Sequence, residues 1–184
     1  MERVLKVVKS PVQVFKKDRT ATNAEKVIKP NIGISDKHRE AVIQILNTVL
    51  SDEFVLYTKT RNFHWNVTGP QFNDLHKFFD EQYQALNETV DEVAERTRAL
   101  GGRALGTLAE FLREARLKEH PKPNIDAHEM ISLLVNDHEM LIRHLRDDAD
   151  ECDKKYKDNG TNDFLVGVMQ QHEKMAWMLR AFIS

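Results

Sequence analysis

The sequence predicts an all-α protein: a four-helix bundle with one short extra helix in its middle connection. Four long segments place their apolar residues at helical spacing. The breaks between them fall at Thr68-Gly69-Pro70, Gly101-Gly102, Pro121-Lys122-Pro123 and Asn159-Gly160. Seven Gly and five Pro in 184 residues are too few for a turn-rich β-sandwich.

The first helix begins after Ser35, a fitting N-cap followed by Asp36, and runs to about Trp65. Val42, Ile45, Leu46, Val49, Leu50, Phe54, Leu56 and Tyr57 recur along it. The second carries Phe72, Leu75, Phe79, Tyr83, Leu86, Val90, Val93 and Leu100 on one stripe and closes at Gly101-Gly102. Residues 107–117 suit the short helix. The third long helix spans about Asp126 to Lys155, with Ile131, Leu134, Met140, Leu141 and Leu145. After a turn at Asn159-Gly160, Thr161 and Asp163 are expected to start the fourth, which continues to the C-terminus.

Ahead of these, residues 1–34 show no sustained periodicity and are expected to form a mobile extension to a domain at 35–184. The chain carries 27 basic and 29 acidic side chains, a formal net charge of −2. That balance conceals a split, because residues 1–30 are +5 and the remainder −7. A basic arm on an acidic body suits contact with an anionic partner, or serves only as a solvated leader. No apolar run approaches the length of a membrane span, and the single Cys152 excludes a disulfide framework or thiolate metal cluster within one chain. The first residues lack a continuous apolar core for a secretory signal, so a reducing cytoplasm is the expected location.

The residues with metal chemistry are His64 on the first helix and His76, Asp80, Asp91 and Glu95 on the second. At about 100° per residue, the last four lie within a single stripe about 100° wide. Imidazole with carboxylate, and no thiolate, suits iron, zinc or manganese. Asp80 and Asp91 are nevertheless about 16 Å apart along the axis, too far to share one ion within a chain. Their midpoint is position 85.5, which is also the midpoint of His76 and Glu95. Two copies packed antiparallel about a two-fold at that point would bring Asp80 to the partner's Asp91, and His76 to the partner's Glu95. The spacing therefore predicts two equal sites per dimer and none complete in a monomer. Bundles with an in-chain di-iron centre use Glu-x-x-His, and no histidine here has Glu three residues before it. An HExxH motif is absent too.

Residues 62–102, NFHWNVTGPQFNDLHKFFDEQYQALNETVDEVAERTRALGG, closely resemble the signature of the Dps family of miniferritins. The GRALG turn at 102–106 and the last helix, NGTNDFLVGVMQQHEKMAWMLRAF, extend the similarity over roughly residues 36–184. The resemblance implies a ferritin-like fold and a homo-dodecameric shell. It also implies a di-iron ferroxidase centre between two-fold mates, with His64, His76 and Asp80 from one subunit and Asp91 and Glu95 from the other. Fe(II) would be oxidised there, preferentially by hydrogen peroxide, and stored as ferric mineral, protecting DNA from oxidative damage. Imidazole binds metal only in its neutral form, so uptake is expected to weaken below the ordinary histidine range near about 6.5.

The family further suggests Trp65 as an electron donor beside the site, against a plain packing role. Asp148, with Asp147 and Glu151, is the candidate lining of an iron-uptake pore; an exposed charged helix end is the alternative. Lys6, Lys9, Lys16, Lys17 and Arg19 are candidate contacts for sequence-independent DNA binding, which in a second reading is the main function with iron chemistry secondary. In a third, the same ligands hold a structural metal such as zinc.

Overall fold

The computed structural model describes residues 29–122 and 125–184, so Lys6, Lys9, Lys16, Lys17 and Arg19 lie outside the described residues. The described residues form five helices and no strand: α1 (Asp36–Asn66), α2 (Phe72–Ala99), α3 (Leu108–Glu114), α4 (Ala127–Lys154) and α5 (Asn159–Arg180). No helix is long and apolar enough to cross a membrane among the residues described.

Short connections make α1 with α2, and α4 with α5, antiparallel hairpins. The longer crossover carrying α3 joins them into the bundle. Leu46, Leu50 and Leu56 of α1 meet Leu75, Phe79 and Leu86 of α2, Ile131, Leu134, Leu141 and Leu145 of α4, and Leu165 of α5 in one fully buried core. The apolar stripes overreach at two points, since Phe72 and Met140 are exposed.

The helix ends follow the local chemistry. Ser35 accepts from the His38 N–H, Thr107 and Glu110 form a reciprocal capping box, and Asp126 accepts from the Glu129 N–H. Gly101, at φ +79°, ends α2 with paired bonds from the Gly101 and Gly102 N–H groups to Arg98 and Thr97. A side chain at Gly101 would meet Pro30 at 2.7 Å, so the last residues of the N-terminal segment lie against this turn. The start of α5 departs from expectation. Asp158, not Thr161, caps it, because its carboxylate takes both the N–H (2.9 Å) and the hydroxyl (2.6 Å) of Thr161. Asn159 and Gly160 thus fall inside the helix, and the reversal moves back to Lys157 at φ +60°. The helix also stops at Arg180, four residues short of the C-terminus.

Buried polar groups tie the hairpins together. The Asp52 carboxylate is fully buried on α1 and accepts from the Arg116 and Leu117 N–H groups and from Arg116 Nε, pinning the crossover. Lys59 pairs with Asp137 of α4 and donates to the Lys118 carbonyl. Deeper in the bundle, Glu53 of α1 contacts His172 Nε2 of α5 at 2.8 Å, and His172 Nδ1 contacts His138 Nδ1 of α4 at 2.8 Å. All three are fully buried.

Asp52→Ala removes the acceptor of two N–H groups and the partner of Arg116, and is expected to cost about 3 kcal/mol or more in a urea unfolding titration. Burial holds His138 well below the usual histidine range, so the unfolded chain takes up a proton that the folded chain refuses. Its contribution to stability is complete above the unfolded value of 6.5 and is lost as pH falls below it. Thermal melts between pH 7 and pH 4 are expected to show a decline that His138→Leu flattens.

Candidate metal centre

His64 sits in the last turn of α1 and His76 in the second turn of α2, where the 67–71 connection brings the two helix ends together. Their rings stack with centroids 3.9 Å apart and planes at 17°. Each ring bonds to the other residue's backbone: His64 Nδ1 lies 2.7 Å from the His76 carbonyl, and His76 Nδ1 lies 2.9 Å from the His64 carbonyl. A carbonyl only accepts, so both Nδ1 atoms carry the proton. In the neutral rings both Nε2 lone pairs are then left bare. The His64 carbonyl stands at a helix C-terminus, where no backbone N–H reaches it, and the His76 ring supplies the missing donor. One pair of hydrogen bonds thereby closes the helix end and leaves the Nε2 lone pair of each imidazole free.

Asp80 follows one turn later. Its Oδ1 accepts from the Tyr83 hydroxyl at 2.5 Å, and its Oδ2 from Gln84 Nε2 at 2.7 Å. The bond to Asp80 raises the Tyr83 pKa, keeping the phenol protonated as a donor. Tyr83 also packs edge-on against His64, with centroids 5.2 Å apart. His64 Nε2 and Asp80 Oδ1 are 4.0 Å apart, so these two donors are neighbours across the α1–α2 junction. Two neutral nitrogens and a hydrogen-bonded carboxylate suit Fe(II) or another divalent transition metal.

Asp91 and Glu95 do not join this group. They stand exposed three and four turns further along α2. Among the described residues, no three His, Cys, Asp or Glu side chains of one chain could hold a metal ion. What the chain presents is His64, His76 and Asp80 at one end of the α2 stripe and Asp91 with Glu95 at the other.

Trp65 is 64% exposed and lies against the Arg61 guanidinium, 5.2 Å from its ring centroid. Asp148 is only partly open, because Arg116 Nη1 holds it at 2.9 Å. Burial raises the Asp148 pKa, with Arg116 opposing the shift. Glu151 is engaged by Lys155 and the Tyr156 hydroxyl. Of the three proposed pore residues, Asp147 is the one exposed without a hydrogen-bonding partner among the described residues.

Sequence spacing missed Tyr83 and Gln84 as supports of Asp80, although both lie within one helical turn of it. Spacing also gave no sign that His138 and His172, 34 residues apart, meet in the core. Burial keeps Cys152 inert, pushing its thiol up to about 12.

The model of the ferritin-like domain matches residues 43–184. A low temperature-induced protein of Nostoc sp. is 48% identical over 84% of this chain and 86% of its own length. DNA protection during starvation protein 2 of Bacillus anthracis is 39% identical over 78% of this chain and 97% of its own. Among solved structures, the Dps protein of Vibrio cholerae, a member of a broad superfamily of ferritin-like diiron-carboxylate proteins, has a TM-score of 0.79. It is 31% identical and covers 89% of this chain and all of its own. With its five helices, its paired imidazoles and these likenesses, the chain belongs to the Dps family of ferritin-like proteins.

Proposed function

We propose that this protein is a ferroxidase and iron-storage shell of the Dps type, in which two-fold mates complete each other's metal centre. The observation that carries the reading is the His64–His76 clamp, which leaves both Nε2 atoms without a hydrogen-bonding partner, His64 Nε2 4.0 Å from Asp80, while no three His, Cys, Asp or Glu side chains among the described residues could hold an ion. The partner's Asp91 and Glu95 are the residues whose spacing fits them to complete it.

Fe(II) is the substrate. Neutral imidazoles hold it without adding charge, and the carboxylates offset the extra positive charge as it becomes Fe(III). Tyr83 and Gln84 fix the orientation of Asp80, so little rearrangement is needed on binding. Hydrogen peroxide accepts two electrons, one from each of two Fe(II) ions, and with two protons leaves as two waters. A paired site thus avoids the hydroxyl radical that a single electron would release. In this reading twelve subunits enclose the ferric product, and the acidic end of α4, with Asp147 the most open carboxylate, draws the cation inward.

DNA protection, the property in the name of the Bacillus anthracis relative, would follow from removing Fe(II) and peroxide together. A second reading, sequence-independent attachment to DNA, rests on the +5 charge of residues 1–30 repeated around a shell.

Replacing Asp91 and Glu95 together by Ala is expected to slow peroxide-driven Fe(II) oxidation at least a hundredfold, followed by absorbance of the ferric product. Oxidation at the wild-type rate would refute the assignment. A gel shift at low and moderate salt compares the full chain with one lacking residues 1–34. Salt-sensitive binding only in the full chain is expected if the tail is the contact, whereas equal binding by both would exclude it.

A further inference from the structure

Arg61, one turn before His64, occupies a place that its own chain does not explain. Its guanidinium lies over three aromatic rings, 5.7 Å from the centroid of Tyr57, 5.2 Å from Trp65 and 5.4 Å from Tyr83. It donates to the Tyr57 hydroxyl, but its Nε is buried with no acceptor, and it forms no ion pair among the described residues. Aromatic faces offset only part of the cost of taking a guanidinium out of water, and an unmet N–H adds to that cost.

Beside it lies an open cavity of about 390 Å³ lined by Tyr57, Arg61, Tyr83, Gln84, Asn87 and Glu88. Glu88 is exposed and makes neither hydrogen bond nor ion pair among the described residues. The four α2 residues of this lining, 83, 84, 87 and 88, are centred on position 85.5. That is also the midpoint of the ligand pairs 76 with 95 and 80 with 91. A two-fold there that sets Asp91 of the partner subunit against Asp80 also sets Glu88 of the partner subunit level with Tyr83, the ring on which Arg61 rests. The partner's Asp91 and the partner's Glu95 fall opposite Asp80 and His76, which leaves the partner's Glu88, about 20° beyond Glu95 around the helix, as the carboxylate free to meet the guanidinium.

We propose that a second copy of this chain covers this cavity and that Arg61 pairs with the partner's Glu88, twice in each dimer. The inference rests on the two-fold reading of the metal centre and adds the charge pair that fixes its register. Packing two copies of this stripe crowds Asp80, Asp91, Glu95 and Glu88 from both chains around one axis, where like charges repel. Arg61 is a basic side chain already seated in that patch, so it offsets the repulsion before any metal binds. It also opposes slippage, because a shift by one helical turn, about 5.4 Å, would separate both the ion pair and the ligand pairs.

The test is a charge exchange between chains, done without iron. Arg61→Glu and Glu88→Arg each place like charges opposite one another in a homodimer. Each is expected to shift sedimentation from the wild-type assembly to smaller species at micromolar concentration, with helical circular dichroism retained. Co-expressing the two variants, one of them tagged, restores an acid–base pair at both contacts of a mixed dimer. The tagged chain is then expected to retain its mate and regain wild-type size. Wild-type assembly of either variant alone, or failure of the mixed pair to assemble while both chains fold, would overturn the proposal.

Should charge reversal unfold the chain, Arg61→Gln and Glu88→Gln carry the test. Each is expected to weaken association about tenfold, and the double variant no further; additive losses would overturn the pair. Iron oxidation that still depends on Asp91 and Glu95 after a failed exchange would remove the ion pair and leave the metal centre standing. A successful exchange in a protein indifferent to those two residues would do the reverse.

Discussion

Two imidazole rings crossed between helix ends hold the junction of α1 and α2 together. His64 and His76 each donate to the other's carbonyl, so the α1–α2 hairpin is fastened by these two side chains. With Nδ1 committed to the backbone, the ring planes and the tautomer of both imidazoles are settled by the hairpin itself. Tyr83 extends the same arrangement, touching His64 with its ring edge and Asp80 with its hydroxyl. His76, His64, Tyr83 and Asp80 therefore form one continuous chain of contacts.

The rest of the bundle holds α1 in place. Along its length α1 meets three other elements through buried polar contacts. Asp52 grips the crossover, Lys59 reaches Asp137 of α4, and Glu53 contacts His172 of α5. Each contact is costly to break, since a buried charge left without its partner is far less stable than a solvated one. The apolar core supplies the bulk of the driving force, and these contacts make one packing of the helices preferable to its neighbours.

How much of this was legible in the sequence depended on range. Ser35 declared its cap, Gly101 its left-handed turn, and the spacing of His76, Asp80, Asp91 and Glu95 a common stripe, because such signals act within one or two helical turns. The start of α5 was misplaced because Asn159-Gly160 resembles a turn, while Asp158 makes a stronger cap by binding Thr161 twice. Asp148 was read as an open carboxylate; its partner, Arg116, comes from a crossover 32 residues earlier.

The sequence by itself determined the all-α class, the helix number, the common stripe of His76, Asp80, Asp91 and Glu95, and the division of that stripe into two halves too far apart for one ion. All of these follow from a repeat of 3.6 residues and a rise of about 1.5 Å. Only the tertiary structure decided which nitrogen of each histidine is tied to the backbone, that Tyr83 and Gln84 hold Asp80, and that Arg61 lies among three rings with its Nε unmet. Those outcomes depend on where the end of one helix meets the start of the next. That junction is set by packing and by backbone carbonyls, which are the same in every residue and leave no mark in the order of side chains.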